Sequence, residues 1–274
     1  MCPLLLKLRS IDDEIAQTQA FLKDLAAHRA TLIRDINASH DPFTNLFPTE
    51  IASRIFSLCV DEQDESVSEN TSKSRSCIPL ALASVSRRWQ AIAWSTPSLW
   101  AVIQFDPDSV RNRSNYQEFL SNWLARSRLQ PLSITMNIHQ HSPNDQDRLN
   151  FYERVIGIIN THSHLWGDLS LNIPLDILSL FKAAPNGTRR HLLRVLSIRS
   201  SEYEQVSHAV HFDLESSIAP APETVSLSSC SFSRIKIDWR NVTRLHITDL
   251  NIYECLALFR AAPRLSRIHS SLHP

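Results

Sequence analysis

His-x-His occurs twice in the chain, at His139/His141 and His162/His164. On a β-strand that spacing turns both imidazoles to one face, where neutral ring nitrogens could hold a divalent metal. Neither pair has a carboxylate or cysteine cluster beside it, so solvated histidines are the expected reading. Ser, His and Asp are plentiful, yet no G-x-S-x-G elbow presents a nucleophile and no glycine-rich loop cradles a phosphate. With three glycines in 274 residues, the glycine-dependent motifs are excluded as a class. Cys2, Cys59, Cys77, Cys230 and Cys255 are odd in number, widely spaced and without a C-x-x-C pair. They read as reduced thiols of a cytoplasmic or nuclear protein, with Cys59 and Cys255 expected as small buried apolar residues. The expectation is a chain that is no enzyme and takes no metal and no cofactor.

What remains is apolar, and it is concentrated. The stretch "LFPTEIASRIF" (46–56) carries Phe47, Ile51, Ile55 and Phe56, more apolar surface than a short helix needs to hold itself down. Pro48 suits the first position of that helix and Glu50 its positive end. Ile51, Ile55, Leu58 and Cys59 share one face, while Ala52 and Phe56 look out at a different angle. Further on, "IPLALASVSRRWQAIAWSTPSLW" (78–100) places Leu82, Val85, Trp89 and Ile92 at helical spacing, stopped by Pro97. Three of the six tryptophans fall between 89 and 100, so much area is buried in little sequence there. Between the two stretches, residues 61–76 form an acidic, Ser-rich insert with one apolar residue, expected as a solvated loop that could carry phosphorylation. Without that insert the block is small, and a unit of that size usually leans on another domain or on a partner.

These two stretches resemble an F-box, in the F-box-like form expanded in mushroom-forming fungi. Pro48, Glu50, Ile51, Ile55, Phe56, Val85, Trp89, Pro97, Leu99 and Trp100 match the family pattern. Phe47 stands where leucine is usual, and Ser86 where cysteine is usual. The resemblance implies three short helices docking on a Skp-type adaptor and, through it, on a cullin–RING ubiquitin ligase. It implies adaptor contacts from Phe47, Pro48, Glu50, Ile51, Ile55 and Phe56 in the first helix, and from Leu80, Leu82, Val85, Trp89 and Ile92 in the next two. It also implies that the rest of the chain recruits a substrate protein. A scaffold whose F-box-like helices engage no ligase is the alternative.

The flanking elements follow from periodicity. Over residues 1–38, positions 4, 8, 11, 15, 18, 22, 25, 29, 32 and 36 hold eight apolar residues, with Thr18 and Arg29 as exceptions. This predicts a helical rod of roughly 50 Å, either a coiled coil that dimerises the protein through residues 4–36 or an amphipathic helix packed on its own domain. The F-box-like domain is read over 39–105 and an irregular leucine-rich-repeat-like array over 106–274. In that array "DILSLFKAAP" (176–185) and "ECLALFRAAP" (254–263) are identical at six of ten positions with an offset of 78, three units of 26. Strand-like runs at 99–105, 132–138, 168–173, 193–198, 224–229, 242–247 and 265–270 are joined mostly by helical patterns at 114–126, 147–161, 175–184 and 253–262. The expected fold is thus mainly α at the N-terminus, followed by an α/β solenoid with parallel strands. Ser133, Thr135, Asn137, Ser226 and Ser228 would lie on its solvent-facing strand positions. Pro274 follows the last strand with no recognisable cap, which reads as a naturally short or truncated array. Lys+Arg and Asp+Glu both total 28, which disfavours a nucleic-acid partner. No apolar run is long enough to span a membrane, and the leucines before Lys7 are too few for a signal-peptide core.

Overall fold

The computed structural model describes residues 3–39, 41–61, 78–110, 113–138, 145–182, 192–200, 212–213, 219–248 and 252–271. The expected 61–76 insert, His139, His141, Cys2 and Cys77 thus lie outside the described residues, except for the backbone of Asp61. Two compact units emerge: Met1–Cys59 with Pro79–Ser95, and Val60–Ile78 with Thr96–Pro274.

The first unit is helical. α1 (Pro3–Ser39) is one continuous helix of 37 residues. Each of its described side chains is exposed, so the stripe of Leu8, Ile11, Ile15, Leu22 and Leu25 is not covered by the chain's own domain. Thr18, at a seam position, donates its hydroxyl to the Glu14 carbonyl at 2.8 Å and satisfies itself within the helix. Four short helices follow: α2 (Pro42–Leu46), α3 (Thr49–Asp61), α4 (Ile78–Val85) and α5 (Arg87–Ser95). α3 begins one residue later than expected. Pro48 precedes it, and its carbonyl accepts from the N–H groups of Ile51 and Ala52.

Among the described residues the second unit holds seven strands: β1 (Val102–Phe105), β2 (Leu132–Asn137), β3 (Trp166–Asn172), β4 (Val195–Arg199), β5 (Thr224–Ser228), β6 (Arg244–Thr248) and β7 (Arg267–Ser271). They form one sheet in chain order with every neighbouring pair parallel. The helices α6 (Arg113–Ser127), α7 (Gln146–Asn160), α8 (Leu175–Leu178) and α9 (Ile252–Ala261) lie between strands in sequence. The α/β arrangement with parallel strands is as expected. β3 begins at Trp166 and β6 at Arg244, so the offset of 78 spans three strand intervals.

Alternation along each strand builds the core as a row across the sheet. Ile103, Ile134, Leu169, Leu196, Val225, Leu245 and Ile268 are register partners in succession, and the first six are buried. Gly167 is the extra residue where β3 bulges against β2 between Leu132 and Ser133. A Cβ there would stand 3.2 Å from the Pro131 Cβ, a close approach that a larger residue could make only if Pro131 gave way by a few tenths of an ångström. Phe105 stacks on Tyr116 of α6, which in turn meets Phe151 of α7 edge-on.

Three expectations are corrected. The F-box-like block does not run to residue 105: the helical unit ends at Ser95, because Val102–Phe105 pair with β2 and Leu99 and Trp100 are buried in the second unit. Trp100 packs edge-on against Trp123 at 4.8 Å, with the Arg126 guanidinium 4.9 Å from its ring. The helix expected over 175–184 is a single turn, Leu175–Leu178. Asn160 Nδ2 donates to the Leu180 carbonyl at 2.8 Å, and Phe181 turns inward against Trp166. Tertiary contacts there override a helix-compatible sequence. Cys59 is exposed, because the face of α3 that carries it points outward.

Candidate docking surface

Asp41 organises the helical unit. Its carboxylate caps α2 by accepting from the Thr44 N–H at 3.2 Å and from the Thr44 hydroxyl. It also accepts from the Trp89 indole N–H at 2.9 Å, which ties α5 to the start of α2. Burial pushes the Asp41 carboxyl up, but the bonds from Thr44, Trp89 and the Phe43 N–H outweigh it and leave the pKa below the ordinary carboxylate value. Phe43, Phe56 and Trp89 are mutually in contact, with ring centroids 4.9 to 5.8 Å apart. Ser86 separates α4 from α5 and caps the latter, accepting from the Trp89 N–H at 3.1 Å. Here is a local reason for serine at a position where cysteine is usual in the resembling family.

This core settles which expected contact residues look out. Phe47, Ile51, Leu80 and Val85 are 41 to 47% exposed, and Pro48 and Glu50 are exposed as well. Ile55, Leu82 and Trp89 are half-buried. Phe56 and Ile92 are corrected: at 1% and 5% exposure they belong to the core and have no free surface for a partner. On α3, Ala52, Phe56 and Ser57 face inward, while Ile51 and Leu58, seven residues apart, mark the outward stripe. Phe47 lays its ring on Phe43 at 5.3 Å and still exposes the remainder. Val85 lines a cavity of about 660 Å³ with Thr31 and Arg34 of α1, Asp41, Thr44 and Ser86.

The sequence reading missed Leu46 and Trp94, both exposed. Leu46 directly precedes the Phe47–Pro48 turn, and Trp94 is two residues past the inward Ile92. A helical-wheel reading of α5 would have placed Trp94 outward.

In the second unit, Ser133, Thr135, Asn137, Ser226 and Ser228 are half-exposed on the outward face of the sheet, as expected. His162 and His164 flank Ser163 in a single 3-10 turn, not on a strand, and His162 Nδ1 lies 2.8 Å from the Thr161 hydroxyl. Among the described residues, no three His, Cys, Asp or Glu side chains gather as a metal site would require, and no helix is long and apolar enough to cross a membrane. No protein-family model, curated protein or solved structure matches this chain.

Proposed function

We propose that this chain is the substrate-receptor subunit of a Skp–cullin–F-box ubiquitin ligase, acting in the cytoplasm or nucleus. The F-box-like helices dock on a Skp-type adaptor, and the strand-rich unit, a leucine-rich-repeat-like solenoid, recruits the target protein. The chain itself performs no chemistry and takes no cofactor; it holds a target near a ubiquitin-transferring partner and raises its effective concentration. The observation that carries the reading is the division of labour on α3. Its inward side is used up by Phe56, leaving the Ile51–Leu58 side and the uncovered part of Phe47 as exposed apolar surface. α1 adds a second association surface, through which the receptor forms a homodimer.

The test is binding of the full chain to a purified Skp-type adaptor. Ile51→Asp should weaken it by about thirtyfold or more, the scale of a hot-spot loss. Because Ile51 is exposed, the variant keeps its circular dichroism spectrum and thermal midpoint. A folded chain that fails to bind the adaptor sinks the receptor reading and leaves a scaffold that engages no ligase.

A further inference from the structure

The outward face of the sheet changes character across β4 to β7. Register places Ser197, Ser226, His246 and His269 in one row. The next row brings Arg199 beside Ser228, whose Oγ accepts from the Thr248 hydroxyl at 3.2 Å. The two imidazoles stack face to face, with centroids 4.6 Å apart and planes within 10°. Together these side chains line a groove of about 600 Å³. Two residues back along the strands, Arg244 of β6 lies beside Arg267 of β7. Like charges at adjacent strand positions oppose sheet pairing, so this arrangement costs stability unless something neutralises it.

Nothing on these strands does so. β4 to β7 contain three arginines and two histidines but no Asp or Glu. Among the described residues, no carboxylate forms an ion pair with Arg199, Arg244 or Arg267. The nearest acidic strand residue on that face is Asp168 of β3, whose raised pKa reflects burial, opposed by Arg194. A row of hydroxyls and ring N–H groups beside these guanidinium groups is a donor-rich surface for which the described residues supply no ion-paired carboxylate.

We propose that this face binds oxyanion groups, carboxylate or phosphate, carried by an extended segment of a target protein. One anionic group lies over His246, His269 and Arg199, and a second over Arg244 and Arg267. The two positions are two residues apart along the strands, about 6.6 Å. Alternate side chains of an extended peptide repeat at the same interval, so a segment with negative charges at every second residue matches both. As a statement about targets this rests on the receptor reading above; as an anion site it stands alone.

The experiment uses the full chain and fluorescently labelled peptides with Glu, phosphoserine or Gln at two alternate positions, followed by anisotropy at low and high salt. The Glu or phosphoserine peptide should bind, weakening as salt rises, and the Gln peptide should not. Binding of one charged peptide without the other identifies carboxylate or phosphate as the source. The His246→Gln/His269→Gln double variant and Arg244→Gln should each weaken binding by about tenfold, as expected for lost charge-assisted hydrogen bonds. Ser133→Ala, on β2 towards the other end of the same face, should change nothing. These side chains are outward, so the variants keep the wild-type circular dichroism spectrum. Failure of both charged peptides, indifference to the variants, or tighter binding of a single-stranded oligonucleotide overturns the proposal. Adaptor binding measured on the same preparations separates the two readings: its loss with peptide binding intact sinks only the receptor assignment.

Discussion

Asp41 joins two helices through one carboxylate, accepting from the Thr44 N–H and hydroxyl of α2 and from the Trp89 indole of α5. Its folded pKa lies below the ordinary carboxylate value of 3.8. The sign follows from linkage: the ionised form is favoured in the folded state, so its contribution is present above the unfolded pKa and is lost as pH falls through the folded one. The thermal midpoint of Asp41→Asn should therefore lie below wild type at neutral pH, and the gap should close as pH falls below about 4. A gap that stays constant down to acid pH would show that the charge contributes nothing. Asp41–Pro42 is a cap followed by proline at the first helical position, a start signal present in the sequence. It was masked by its setting, since "NASHDPFTNLFP" reads equally as a loop between two longer helices. Trp89 shows the other limit of reading from sequence. Helical spacing marks it as apolar and prominent, but only the fold reveals that its N–H is committed to Asp41 and its ring to Phe43 and Phe56.

Elements were most legible where a period of two or 3.6 ran unbroken. All seven strands and α6, α7 and α9 stand where alternation placed them, and β1 to β6 bury every second residue. Their ends were less legible, since ends are set by contacts distant in sequence, as the Asn160 bond to Leu180 shows at α8. Scarce glycine leaves its mark at element ends as well. Arg128, just past the end of α6, and Ser229, just past β5, adopt φ of 54°, a left-handed conformation that side chains disfavour. Arg128→Gly should relieve that strain and raise stability by about 0.5–1 kcal/mol, after allowing for the added freedom of the unfolded chain. A rise in the urea midpoint with unchanged slope checks it. An unchanged or lower midpoint means that the Arg128 side chain contributes more than its backbone costs.

At the scale of the whole molecule, α1 is the element whose proposed role is association. An exposed stripe with apolar residues at alternating spacings of three and four along 37 residues suits a two-stranded coiled coil. Thr18 enters such a seam with its hydroxyl already bonded, whereas Arg29 must reach past the seam to water. Sedimentation equilibrium of the full chain should give a dimer at micromolar concentration, and Leu22→Asp should give a monomer with the same helical-unit stability. A wild-type monomer at tens of micromolar would remove α1 as a dimerisation element. The sheet has a different consequence. Among the described residues each strand pairs with its neighbours in chain order, although successive strands begin anywhere from 20 residues apart, Thr224 to Arg244, to 34 apart, Leu132 to Trp166. Connection length is therefore uncoupled from pairing. A whole strand with its connection can be duplicated or lost in a gene without redrawing the ladders that remain, and each such event lengthens or shortens the outward face by about 4.8 Å.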